Sequence, residues 1–372
     1  MRAVETLRIS GDAKLFVPIT QIAVSPAGEM AVWQAQDSRI LIFSPDGRNI
    51  GSFGRAGEGP GEFRVLGAYG WLGDSLWILD PGLHRTTLMT MRGALVRIEP
   101  WLPQLTLPKP SQLVFRGGFG GAAPGAIFAD GSFVPLAGVH LPQRIGADGR
   151  IGESSLESVI RVGADGVLRR VLLTTPPLAR ETACVQVWEA GTVSGSVSSP
   201  YCATPIKVFS PDGSRVMLVR QSNASQKSST FEVLLISTHG DTLLHRNLEY
   251  QPQRIPSEVL RAEAGKSLPR GLTLSQMPKP YRDALGRLPR VDQYPPIGRG
   301  LLGTDGAIWL ELNGPWKEHR WLLLSSEDGS VIGNLELSPS ITLRAVSRGM
   351  VWGREVDDDD VPSVVRLRVV GP

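Results

Sequence analysis

The sequence predicts an all-β protein, a six-bladed β-propeller whose N-terminal strand closes the last blade. One observation is a recurring unit: a turn glycine, an apolar strand often carrying Trp, a polar gap, a second apolar strand and a second turn glycine. It reads Gly28-Glu-Met-Ala-Val-Trp33 through Ile40-Leu-Ile-Phe43 to Gly47, then Gly73-Asp-Ser-Leu-Trp77 to Gly93, then Gly306-Ala-Ile-Trp309 through Trp321-Leu-Leu-Leu324 to Gly329. A second is length: short strands repeated over 372 residues exceed one sandwich core and suit a radial array. The third is at the ends. Val364-Val-Arg-Leu-Arg-Val-Val370 alternates with no second turn after it, and Val4-Glu-Thr-Leu-Arg-Ile9 alternates before the first unit. Pairing 4–9 with 364–370 removes two exposed strand edges at once.

The elements follow in order from the first-turn glycines Gly28, Gly73, Gly131, Gly213, Gly306 and Gly349, one per blade. The short intervals match the roughly 40–50 residues of a four-stranded blade, and the long ones carry insertions. Gly47, Gly93, Gly166, Gly240 and Gly329 mark the second turns. Trp33, Trp77, Trp309 and Trp352 share one phase after the first turn and are expected between blades, whereas Trp71, Trp101, Trp188, Trp316 and Trp321 fall outside it. Three excursions interrupt one domain spanning 1–372. Residues 138–156 read as a loop whose marked turn is Asp148-Gly149, and residues 183–201 as a Cys-flanked, hairpin-like excursion. Residues 256–289 read as a helical insertion between blades four and five, opening at Ser257 with strong helix formers.

Composition narrows the class. Gly 42 and Pro 29 are high without a collagen period, which fits turns. A formal charge of +3 is spread along the chain with no Lys/Arg block longer than two, so no nucleic-acid partner is expected. No apolar run is long enough to span a membrane, and residues 1–30 lack a secretory pattern. The two cysteines, Cys184 and Cys202, flank the second excursion, and pairing them implies an oxidising compartment. Two unrelated buried thiols are the alternative. The expected location is periplasmic or extracellular if a signal precedes this chain, and otherwise cytoplasmic.

Gly54-Arg-Ala-Gly57-Glu-Gly-Pro-Gly61-Glu-Phe63, with Trp77-Ile-Leu-Asp80 and His84-Arg85 after it, resembles the NHL-repeat propellers. More closely, it is similar to bacterial six-bladed β-propeller proteins that share a G-R-x-G-E-G-P-G-E-F connection. The resemblance implies that this loop joins one blade to the next and that the Asp and His-Arg residues stabilise the blade. Arg39 and Arg320 occupy places equivalent to Arg85, and Gln34 and Glu311 places equivalent to Asp80, so charge pairs are expected between Asp80 and Arg85 and between Glu311 and Arg320. The loop is not a phosphate loop, because it ends in Gly-Glu-Phe and leads into a strand, not into a helix behind Gly-Lys-Ser/Thr.

Two functions are carried forward. The first is a non-catalytic, monomeric binding or scaffolding propeller for a protein or small-molecule ligand. Its candidate contacts are Arg55, Glu58, Glu62, Arg64, Arg85 and Arg320, bordering the funnel and favouring an anionic group. The second is a lactonase-like, metal-assisted hydrolase or lyase with an axial site. His84, His140, His239, His245 and His319 do not place a three-His zinc centre on the axis, and no G-x-S-x-G elbow occurs. No cofactor is expected. Ca²⁺ is the cation considered, at the acidic run 357–360, which lacks the spacing and glycine of a known Ca²⁺ loop and reads as a hairpin tip. Asn223-Ala-Ser225 matches a glycosylation acceptor, a pattern common by chance.

Overall fold

Strict hairpin alternation builds the ring. The structure, a computed structural model, describes residues 1–10, 19–100, 105–107, 112–114, 123–136, 138–140, 143–144, 151–152, 157–175, 184–191, 193–221, 229–266, 273–303, 305–347 and 349–371. Trp101, the turn at Asp148-Gly149 and Asn223-Ala-Ser225 lie outside these residues. Blade one comprises Ile19–Val24, Met30–Gln34, Arg39–Phe43 and Asn49–Phe53, paired antiparallel in that order from the axis outward. Blade two repeats this with Tyr69–Leu72, Ser75–Asp80, Arg85–Thr90 and Leu95–Pro100. Blade four comprises Ile206–Phe209, Arg215–Arg220, Thr230–Ser237 and Thr242–Glu249, and blade five Ile297–Leu302, Ile308–Leu312, His319–Leu324 and Val331–Leu337. Blade six takes Ile341–Ser347, Met350–Val356 and Pro362–Val370, and Arg2–Ser10 supplies its outer strand. The closing register runs from Arg2↔Val370 to Ser10↔Ser363, longer at both ends than the expected 4–9 on 364–370.

Each of the first-turn and second-turn glycines that phase the blades sits in a hairpin turn with φ between 60° and 89°, the left-handed region in which a side chain is strained. These turns join first to second and third to fourth strands, so antiparallel alternation puts them all on one face of the ring. Connections between second and third strands, and between blades, leave from the other face and hold the insertions.

Period-two side-chain alternation then sorts the core into seams. Trp33, Ile40 and Phe53 stand in one cross-strand row and pack with Phe63, Trp71 and Ile78 between blades one and two. Their neighbours Val32 and Leu41 point the other way, to Ile9, Trp352 and Val364 between blades six and one. Four further clusters fill the remaining seams. Among the described residues, the seam between blades three and four buries Ala126, Val134, Val159 and Leu172.

Blade three departs from expectation. Its first strand comes in two pieces, Gln112–Val114 and Pro124–Ile127, and so does its second, Phe133–Pro135 and Gly138–His140. Both second-strand pieces pair with the third strand, Glu157–Val162, beside which lies the fourth, Leu168–Thr175. Residues 138–140, assigned to a loop from sequence, therefore belong to the blade. Val139 is fully buried, so the apolar residue inside the apparent loop is a core position.

The other two excursions pack on each other. Val185–Ala190 and Val193–Ser198 form a hairpin, and Cys184 and Cys202 are joined by a disulfide at its base. Helices α1 (Ser257–Lys266) and α2 (Lys279–Gly286) lie between blades four and five. Met277, Tyr281 and Ala284 bury Val197, and the Trp188 ring meets Tyr281 edge-on at 5.6 Å. Trp188 is thus a packing residue of the hairpin and not a free loop aromatic. Nearer the ring, Tyr201 meets Tyr294 at 4.9 Å. No helix among the described residues is long and apolar enough to cross a membrane.

Candidate functional site

The glycine-rich connection leads from the outer strand of blade one to the inner strand of blade two, on the face of the long connections. It folds back on itself: the Phe63 amide donates to Arg55 O at 2.8 Å, and Phe63 is fully buried between the blades. At Gly54, φ 88°, a Cβ would lie 2.7 Å from the Ser38 carbonyl oxygen, so only glycine fits there.

Its charges are committed to one another. Glu62 Oε1 meets Arg55 Nη2 at 2.6 Å, and Oε2 accepts the Gly59 amide at 2.7 Å. That amide first, and Arg55 second, hold the Glu62 carboxyl below the usual carboxylate range. Arg64 pairs with Glu58. Arg85 reaches across from blade two and donates to the carbonyls of Glu58, Gly59 and Glu62 at 2.7–2.8 Å.

Asp80 is fully buried, and its partner is backbone, not Arg85. Its carboxylate accepts the amides of Arg64, Val65, Gly82 and Leu83 at 2.8–3.2 Å. It thereby fastens the incoming connection to the turn between second and third strands. Gln221 does the same work in blade four: its amide group bonds Thr204 O at 2.9 Å and both the N–H and C=O of Ile297 at 3.0 Å, tying blade four to blade five. In blade one Gln34 accepts from Arg39 Nη2 at 2.9 Å.

The structure brings Arg55, Glu58, Glu62, Arg64 and Arg85 together, but it places Arg320 elsewhere. Arg320 sits on the third strand of blade five in the row Leu312↔Arg320↔Glu336. It lies 3.1 Å from Glu336 and 4.5 Å over the Trp316 ring. Pairing with Glu311, expected from the repeat, is corrected by register: Glu311 belongs to the adjacent row Arg299↔Glu311↔Trp321, on the opposite face of the blade. There Glu311 meets Arg299 Nε at 2.9 Å and His319 Nδ1 at 2.5 Å.

Sequence reasoning considered an axial site but missed the residues that line the axis. The inner strands of blades one, two, four, five and six enclose a cavity of about 100 Å³. Its wall is largely apolar, from Val24, Val208, Leu301 and Val346, and among the described residues Arg344 is the one charged side chain on it. Arg344 occupies a β-bulge: Leu343 pairs with Gly353 and Ala345 with Trp352, leaving Arg344 unmatched. A bulge of this kind re-aims the side chain it carries. Arg299 approaches Arg344 from blade five, donating to Leu343 O at 3.0 Å, and Arg354 approaches it from the neighbouring strand of blade six; neither lines the cavity itself. Burial first, then Arg299 and Arg354, pushes the Arg344 guanidinium below its ordinary value, and burial raises Tyr69, beside it on the wall, to about 12. The available signal was a lone Arg within an apolar first strand, Ile341-Thr-Leu-Arg344-Ala-Val346, and again at Arg299.

No protein-family model and no curated protein matches the sequence. Among solved structures the chain is similar to a member of the DUF4221 family from Bacteroides vulgatus, with 10% identity, coverage of 100% of this chain and 98% of that one, and a TM-score of 0.52. It also aligns with a putative exported protein from Bacteroides fragilis, at 10% identity over 99% and 95% of the two chains, TM-score 0.47. A virginiamycin B lyase from Staphylococcus aureus aligns at 11% identity over 98% and 99%, TM-score 0.42. At these identities the likeness bears on fold alone. The chain is a six-bladed β-propeller, and the looser NHL-like description is compatible with it.

Proposed function

We propose that this chain is a non-catalytic binding propeller, acting as a monomer on a protein or small-molecule ligand through the face of its long connections. The observation that carries this reading is the asymmetry of the ring. One face is held to tight glycine turns, while the other bears the glycine-rich connection, the disulfide-based hairpin and both helices. Long insertions on a rigid scaffold are the usual place for recognition. The alternative, a metal-assisted hydrolase or lyase, would need a set of ligands converging on the axis from several blades. Metal analysis tests the choice. The binding reading expects Ca²⁺ and Zn²⁺ well below one per chain and an unchanged Tm after EDTA. A stoichiometric ion whose removal lowers Tm establishes the metal-assisted reading in its place.

We further infer that the native protein works in an oxidising compartment, since its two cysteines are paired. Alkylation of protein recovered from the periplasm under non-reducing conditions should label neither cysteine. Labelling of both Cys184 and Cys202 overturns the inference.

A further inference from the structure

Arg344 and Arg354 have no carboxylate partner among the described residues, and Arg299 shares the one it has. Glu311, the carboxylate nearest Arg299, is shared with His319, and Glu355, next to Arg354 in sequence, meets Arg8 at 2.5 Å. The Nε atoms of Arg344 and Arg354 are buried without a hydrogen-bond partner among the described residues. A buried donor left unmade is costly, and like charges gathered in a weakly screened channel raise the cost.

We propose that the axial channel is a binding site for a small oxyanion, a carboxylate or phosphate group, seated against Arg344 with Arg299 and Arg354 beside it. Guanidinium forks match the planar, two-oxygen edge of such groups, and apolar walls strengthen the contact by excluding water. A cavity of about 100 Å³ admits several waters or one small ion and no nucleotide or polymer. The direction of approach also follows. A hollow of about 550 Å³ on the face of the glycine turns, which shares Val24 and Ser347 with the cavity, is bordered by Asp212 and Asp305, and their charge disfavours entry of an anion from that side. This site stands whether or not that face also binds a partner.

The test uses the whole chain, with inorganic phosphate and butyrate as probes, each titrated at constant ionic strength against chloride. Calorimetry and Tm are read on wild type, Arg344→Gln and Arg354→Gln. At least one probe should bind saturably at one per chain and raise Tm, and either substitution should weaken it ten-fold or more. The tighter probe says whether carboxylate or phosphate is the natural group. Without ligand, Arg344→Gln should melt at or above the wild-type temperature, because it removes an unmatched charge. Absence of saturable binding by both probes overturns the proposal, as does binding that both substitutions leave intact. Should Arg344→Gln fail to fold, Arg344→Lys decides: it keeps the charge and loses the fork, so binding weakened in a folded protein supports the site and unchanged binding refutes it.

Discussion

Removal of residues 1–10 is expected to lower stability by about 5 kcal/mol or more, a large share of what a domain has. Arg2–Ser10 supplies one side of a ladder from Arg2↔Val370 to Ser10↔Ser363. It also touches two seams. Ile9 is buried between blades six and one with Leu7 packed beside it, and Met1 and Ala3 lie against the seam between blades five and six. Leu7 fits so closely over the Gly47 turn that a Cβ there would be 2.8 Å from its Cδ1. Losing the strand therefore uncovers apolar surface on both sides and bares the edge of Pro362–Val370, a template for association. Urea unfolding should show a lower midpoint for the shortened chain, with concentration-dependent aggregation. Ile9→Ala alone should cost about 2–3 kcal/mol through the cavity it leaves. An unchanged midpoint for the deletion would mean that the strand closes nothing.

Asp80→Ala is expected to be the most damaging single substitution in the glycine-rich region, at about 3–5 kcal/mol. Four amides lose their acceptor together, and two of them position the connection that carries Phe63 into its seam. Arg85→Gln should cost less, about 1–3 kcal/mol, since its three contacts are to carbonyls that water can partly reach. Arg64→Gln should be close to neutral, because its pair with Glu58 is solvent-exposed. Denaturant midpoints of the three variants give the order directly. Equal effects for Asp80 and Arg64 would show that the buried acceptor does not organise the loop.

The blade count and closure were legible in the sequence because hairpin turns demand a positive φ and glycine meets that demand cheaply. Gly28, Gly73 and the rest therefore act as phase marks even where blade length varies. Blade three was less readable, since its inner strands are each broken in two and Gly138–His140 resumes after an interruption. The pairs of the candidate site were read poorly for a related reason. A strand reverses its facing at every residue, so a shift of one position moved Glu311 from Arg320 to Arg299. Asp80 looked like half of an ion pair because sequence shows side chains and hides backbone amides. Arg344 stands out in the sequence only as a lone Arg in an apolar strand, because the bulge that singles it out exists only in the pairing of two strands.

The ladder between Arg2–Ser10 and Pro362–Val370 also sets an order of events during synthesis. Within the propeller the first strand made is matched by the last, so Arg2–Ser10 must wait while five blades emerge. Such a contact is as non-local as the chain allows, and loop-closure entropy is spent before the ladder repays it. The newborn ring is consequently an open arc, with Ile9 and Leu7 uncovered until residues 362–370 leave the exit tunnel. That interval is when a holding chaperone or a translocation channel has the strongest claim on the chain, and it ends in one step, when the arc becomes a circle.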